Sequence, residues 1–595
     1  MQQDQIAKDM GTFTLLYHKS LETRSAMTTR GPVEVQLEPP TPDTRVYPKG
    51  YRAKESTRPL PCAMRHLRNV AIPMRDGVRL YAEVYLPEAP GKYPAIIGWT
   101  PFDKGPDPDR SQDGFKEVGM PDSGYISGFE TFEGVDPAWW VDHDYAVVNV
   151  DVRGAYNSEG NAEYFGNGQD SDDGYDAIEW LARQDWCNGK CTMAGNSWLA
   201  IAQWYIAAKN PPSLACIAPW EGHGNMYRDE YMRGGIPKFE GSRDYFCPGH
   251  TYQEDLKEMM RQNPCMNAYW ESHNAPFEQI KCPVYAVGSY TNWCHSNGTF
   301  EAFARCGSRE KWLRVHNYVE WPDLYNYENS EDLCRFFDHY CKGIDNGWET
   351  TPTVRLSVLD PGGTDIVGRP ETSWPLERQQ FMRLYLNAAD GSMGLENPET
   401  ASSVSYESQG EILHFPTHKE EFDKDTGNCR VTFTYQFQEE TEVTGYITLH
   451  TWVECIGHDD MDLFVRILNL DKDGNYLYHD CVWNTYSGPD NRLRVSLREV
   501  DPARSTEHTV EHTFRNPQPL HPGEIVPIDI QFWPTAQIFH KGEKIRLVIA
   551  SYDYLGFPPM GGDDRNRIKN YNQGTHVIHT GGAYASYLTL PVIPE

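Results

Sequence analysis

At 595 residues the chain is too long to fold around a single hydrophobic core, so two or three domains are expected. Its hydrophobic share of 39%, with 13% aromatics, suits globular folding, and a net charge of −31 argues against nucleic acid or an anionic membrane as partner, since both would repel it. No apolar run approaches the roughly 18–20 residues of a membrane span. Residues 1–5 lack the basic start and apolar core of a secretory signal. The 14 cysteines form no Cys-x-x-Cys pair and no zinc-like spacing with histidine. A reduced, cytoplasmic chain with no metal and no other cofactor is therefore expected, acting on a small molecule, with a homodimer left open.

Residues 1–65 are polar and rich in Pro, Thr and Arg, as in Glu38-Pro39-Pro40-Thr41-Pro42, and read as an extended N-terminal arm laid on a surface. Residues 68–73 and 79–85 alternate like paired strands about a turn at Asp76-Gly77. The apolar runs at 93–99 and 145–152 fit strands buried on both faces. With helices at 174–183 and 198–209 they give an α/β unit with a mainly parallel sheet. Residues 214–219 supply the next strand. The rhythm breaks at 223–280, which reads as a helical cap insertion, and resumes with strands at 283–288 and 311–315 and a helix at 330–342. The α/β unit thus occupies 66–222 and 281–348. From 349 to 595 short alternating segments separated by turns give an all-β sandwich or jelly roll. Within it Asp471-x-Asp473-Gly474 lacks the remaining ligands of a calcium loop and reads as a tight turn.

Residues 193–200, Met-Ala-Gly-Asn-Ser-Trp-Leu-Ala, carry the chemistry. A short apolar strand runs into Gly195-Asn196-Ser197, and a buried helix follows from Trp198. A serine at such a turn has its Oγ lifted clear of the sheet, and the N–H of the next residue can bind the oxyanion of an acyl intermediate. Ala194, Gly195 and Ala200 are small, as a close strand–helix approach demands.

These features, and others along the chain, resemble the CocE/NonD-type hydrolases, the cocaine esterase and X-Pro dipeptidyl-peptidase-like family. The matching segments are Ile72-Pro73-Met74-Arg75-Asp76-Gly77-Val78-Arg79-Leu80, Thr100-Pro101-Phe102-Asp103-Lys104, Asp151-Val152-Arg153-Gly154 with Ser158-Glu159-Gly160, Asp185-Trp186-Cys187-Asn188-Gly189, Gly195-Asn196-Ser197-Trp198, Trp533-Pro534-Thr535-Ala536 and Lys544-Ile545-Arg546-Leu547. They occur in the family's order across roughly residues 66–590. The resemblance implies an α/β-hydrolase domain, a helical cap and a C-terminal β jelly-roll domain, with Ser197 at the acylated serine.

Three positions depart from the family. Phe102 stands where a tyrosine commonly helps hold the oxyanion, which leaves backbone N–H groups, above all that of Trp198; one such donor is worth on the order of 3 kcal/mol. The acid's loop reads Gly288-Ser289-Tyr290-Thr291-Asn292, with no carboxylate, and Glu320 falls where the family has its histidine. Two completions of the site follow. Either His295, in the acid's loop, is the base with Glu320 as carboxylate, or His316, at a strand end, is the base with Glu320 or Asp323 as partner. The aromatics Phe102, Trp198, Tyr290, Trp293 and Tyr318 fall on loops at the carboxyl ends of strands and are expected to line a mainly apolar pocket.

Asp151 and Arg153 are expected to pair with each other, and Asp170, Asp172 and Asp173 to precede a helix and suit its positive end. The leading functional expectation is a serine-dependent hydrolase of an ester or amide bond in a hydrophobic small molecule, through an acyl-enzyme on Ser197. Acyl transfer or cyclisation of a natural-product intermediate in the same pocket, and a catalytically degenerate binding protein, are the alternatives.

Overall fold

The computed structural model describes residues 6–20, 23–25, 32–34, 37, 39–105, 125–164, 166–238, 248–292, 294–409, 429–481, 484–552 and 572–594. Two units are distinguished: Met1–Met226 with Gly241–Gln262 and Ala268–Thr353, and Tyr227–Glu240 with Asn263–Asn267 and Val354–Glu595.

The first unit is built on a twisted sheet of β1 (Asp43–Tyr47), β2 (Met64–Pro73), β3 (Arg79–Pro87), β4 (Tyr93–Thr100), β5 (Ala146–Asp151), β6 (Cys187–Asn196), β7 (Leu214–Trp220), β8 (Val284–Ser289) and β9 (Lys311–His316). Their order is β9-β8-β7-β6-β4-β5-β3-β2-β1. Pairing is parallel from β9 to β5 and antiparallel from β5 to β1. Every residue of β4, β5 and β8 is buried, which is why these segments read as continuous apolar runs rather than alternating ones. Helices α1 (Gly168–Leu181), α2 (Trp198–Ala208), α3 (Ser296–Arg305), α4 (Glu320–Tyr325) and α5 (Tyr327–Phe337) accompany the strands. All of α2 is buried, so it has no polar face to interrupt its apolar sequence.

Three expectations are corrected here. Helix α1 starts at Gly168, not near 174, because Asn167 caps it by accepting from the N–H groups of Gln169 and Asp170. Asp170, Asp172 and Asp173 therefore lie inside the helix, where Asp170 accepts from Trp99 Nε1 at 2.9 Å and Asp173 accepts two bonds from Arg153 at 2.6 and 2.7 Å. Asp151 does not pair with Arg153 but takes the Lys104 backbone N–H at 2.6 Å and its Nζ at 3.0 Å. The arm is also more than a surface wrap. Its strand Thr14–Lys19 lies antiparallel to Ile6–Asp9 and to Tyr252–Glu254, and β1 extends the main sheet.

The insertion at 223–280 contains a π-turn at Met226–Tyr231 and short helices at Leu256–Gln262 and Ala268–Ser272. It divides between the two units, and the second unit's main body begins at Val354.

That second unit is a β jelly roll of almost wholly antiparallel strands. Lys544–Ala550 pairs with Arg430–Gln436 on one side and Asp462–Leu470 on the other, while Thr448–Ile456 pairs with Val526–Gln531, Thr575–Thr580 and Tyr587–Ile593. Leu449, Val453, Ile467, Leu547, Ile549 and Leu588 close its core. Asp471 accepts from the N–H groups of Asp473 and Asn475 at 2.8 and 2.9 Å, a self-contained turn. Among the described residues no helix is long and apolar enough to cross a membrane.

Candidate active site

Two residues of unusual backbone flank the end of strand β6. Gly195 has φ +138°, and Ser197 has φ +53° and ψ −117°. A serine held there stores on the order of 1–3 kcal/mol of strain. Close packing explains why the neighbours are small. A Cβ on Gly195 would stand 2.6 Å from Leu199 Cβ and 3.1 Å from the Glu133 carbonyl, and one on Gly222 would stand 2.6 Å from Ala200 Cβ. Gly195→Ala is accordingly expected to destabilise the protein by about 3 kcal/mol, since overlap and forbidden φ act together; an unchanged urea midpoint would contradict this packing.

Ser197 precedes α2 yet its hydroxyl makes no capping bond, so Oγ is left to other chemistry. The Ser197 N–H donates to the carbonyls of Trp220 and Glu221, both at 3.1 Å. These bonds fix the turn against the end of β7. The residue is 6% exposed.

His295 Nε2 lies 3.0 Å from Ser197 Oγ. This ring comes from the loop between β8 and α3 and is buried. Its backbone is held at two points. The N–H groups of Cys294 and His295 both donate to Asn292 Oδ1 at 3.0 Å, and the His295 carbonyl accepts from Thr299 N–H and Thr299 Oγ1, each at 3.0 Å. The ring of His223 lies beside it, centroids 5.4 Å apart.

Glu320, the first residue of α4, is buried between two amides: Asn196 Nδ2 donates to Oε1 at 3.3 Å, and Asn292 Nδ2 donates to Oε2. Burial, reinforced by the carboxylates of Glu221 and Glu133, holds its carboxyl well above the ordinary range, against the opposite pull of the two amides.

His316 is not at the serine. Its Nε2 lies 2.9 Å from Glu221 Oε1, so its partner is neither Glu320 nor Asp323, as the sequence suggested, but the carboxylate directly after β7. Burial alone would lower the His316 pKa; the charges of Asp323 and Glu221, with the Glu221 bond, outweigh it and raise the value. Asp323 is instead engaged by Arg314 Nη1 at 3.0 Å and Trp220 Nε1 at 2.8 Å.

The aromatic residues separate. Phe102, Trp198 and Tyr290 are buried. Phe102 meets Phe132 and Trp198 at centroid distances of 5.2 and 6.3 Å, and Tyr164 packs on Trp198 at 5.8 Å. Tyr290 stacks on Phe300 at 5.4 Å. Tyr318, by contrast, is 55% exposed; Trp293 lies outside the described residues. The Phe102 N–H donates to Thr100 Oγ1 at 3.0 Å, a turn within its own loop. Trp198 leads α2 directly after the serine, with its N–H in the first turn of that helix.

Sequence reasoning missed Glu221, Asn292 and Asn196 as parts of this site. A signal existed for Glu221, a carboxylate at the carboxyl end of a parallel strand.

Two family models match the chain: X-Pro dipeptidyl-peptidase (S15 family) over residues 76–254, and the X-Pro dipeptidyl-peptidase C-terminal non-catalytic domain over residues 346–589. Among solved structures, a CocE/NonD family hydrolase from Staphylococcus aureus is 31% identical with a TM-score of 0.80, covering 89% of this chain and 94% of its own. An aminopeptidase from a marine sediment archaeon (Thaumarchaeota archaeon) has a TM-score of 0.67 at 16% identity, covering 89% of this chain and 96% of its own, which speaks for the fold alone. Cocaine esterase of Rhodococcus sp. (strain MB1 Bresler) is 23% identical over 88% of this chain and 98% of its own length.

Proposed function

Because the chain belongs to the CocE/NonD family, serine hydrolases of the α/β-hydrolase fold, we propose that it cleaves an ester or amide bond in a hydrophobic small molecule through an acyl-enzyme on Ser197. The observation that carries this reading is the 3.0 Å approach of His295 Nε2 to Ser197 Oγ at a strained strand-to-helix turn. In the proposed sequence Oγ attacks the carbonyl carbon as its proton passes to His295 Nε2. The oxyanion then faces Trp198 N–H at the positive end of α2. The imidazolium returns its proton to the departing alkoxide or amine, leaving the acyl-enzyme. A water deprotonated by His295 attacks that ester and frees Ser197. The buried rings of Phe102, Trp198 and Tyr290 support an apolar acyl or leaving group.

A fluorophosphonate probe should form a stoichiometric adduct on Ser197, located by peptide mass spectrometry. Folded protein that stays unlabelled would remove the basis for an acyl-enzyme. Acyl transfer draws on the same chemistry, and the low exposure of Ser197 and His295 favours exclusion of water from the acyl-enzyme. Product analysis with and without a competing alcohol or amine separates the two.

A further inference from the structure

We propose that Glu320 is a positioning residue that ties the nucleophile's turn to the base's loop, rather than the carboxylate that pairs with the catalytic imidazole. The inference rests on the Ser197–His295 reading above. Its geometry is a three-part clamp. Asn196, the residue before the nucleophile, donates to one oxygen of Glu320, and Asn292 donates to the other. The remaining face of the Asn292 amide, Oδ1, holds the backbone N–H groups of Cys294 and His295. A single carboxyl on α4 thus joins two loops that follow different strands, β6 and β8, and whose side chains must meet within hydrogen-bond distance.

The orientation of Asn292 follows from its own bonds. Two backbone N–H groups fix Oδ1, so the –NH2 group must face position 320, and position 320 must present an acceptor there. An acceptor is required at that point; a negative charge is not. The carboxyl is buried, and Glu221 and Glu133 crowd it with further acidic groups, which together push its pKa up. Position 320 is also where the family resemblance places a histidine. Since the imidazole here comes from the loop after β8, the residue on α4 is released from proton transfer and keeps a structural task.

Glu320→Gln and Glu320→Ala separate the clamp from an ionised triad carboxylate. In the Gln variant the amide oxygen still accepts from Asn292. The new –NH2 group can meet Asn196 Oδ1, which has no hydrogen-bond partner among the described residues, once that amide turns over. Glu320→Gln is therefore expected to keep kcat within about 10-fold of the parent, with an unchanged pH–rate profile. Glu320→Ala should lower kcat about 100-fold with little change in KM, the size of effect that follows a displacement of about 1 Å between reacting groups. Rescue by Gln of what Ala loses is the result a clamp requires.

A fall of about 10⁴-fold in Glu320→Gln, the loss seen when an ionised partner of a catalytic histidine is neutralised, would overturn the proposal. So would parental kcat in Glu320→Ala. If Glu320→Ala does not fold, Asn292→Ala tests the clamp from its other end: reduced kcat at constant KM supports it, and parental kcat overturns it. Fluorophosphonate labelling of the parent protein tests the Ser197 reading separately, so an unreactive parent and an intact parent with indifferent variants are distinguishable failures.

Discussion

Replacing Ser197 with alanine is expected to lower kcat by about 10⁶-fold, measured as single-turnover ester hydrolysis, while leaving the protein folded. The magnitude follows from the loss of the covalent route: what remains is binding and the oxyanion donors, worth roughly 10³–10⁴ over water. Folding should survive because the hydroxyl caps no helix, and alanine carries the same Cβ at φ +53° that serine already carries. The stability change is expected to stay within about 1 kcal/mol, the net worth of one hydrogen bond. A variant retaining more than a few per cent of parental kcat would move the nucleophile elsewhere.

His295→Ala is the second large effect, also about 10⁶-fold on kcat, because a serine hydroxyl without its base is a weak nucleophile. Labelling of Ser197 by a fluorophosphonate should slow in parallel. The informative comparison is His316→Gln. That substitution leaves Glu221 buried without the imidazole 2.9 Å away, so stability should fall by about 3 kcal/mol, with a much smaller effect on kcat. The pH dependence has a definite sign. The folded-state pKa of His316 is raised, so its contribution is complete below the unfolded imidazole value near 6.5 and fades as pH climbs through the folded value. The stability gap between parent and His316→Gln should therefore narrow toward alkaline pH. If His316→Gln abolished turnover and His295→Ala did not, the base would have to be reassigned.

Local sequence carried the parts of this fold whose physics is local. The apolar runs that became β4, β5 and β8 are legible because burial on both faces leaves no room for polar residues. The turn at Ser197 is legible because a close strand–helix approach restricts Gly195 and Ala200 to small side chains. The sequence also placed His295 in the loop after β8, where the imidazole stands. What it could not supply were pairings decided by which strands become neighbours. Asp151 meets Lys104 because β4 and β5 lie side by side in parallel, whereas Arg153, two residues on, reaches α1 instead. Glu221 and His316 are 95 positions apart and meet only because both follow strands on the same side of the nucleophile. Asn292 was visible only as a missing carboxylate, since an amide serving backbone N–H groups leaves no mark in composition or spacing.

The two strands ahead of the hydrolase-family match have a practical bearing on how the polypeptide can be divided. The match begins at residue 76, inside the hairpin whose ladder runs from Met64 opposite Pro87 to Pro73 opposite Arg79. A chain begun there would strip one whole flank from β3 and leave a row of N–H and C=O groups facing water, a ready template for intermolecular pairing. It would also lose the aromatic knot in which Tyr47 meets Phe129 and His66 stacks on Tyr85. The family match and the folded ladders begin at different points in this protein: the main sheet's ladders reach back to Asp43, and those of the arm to Ile6.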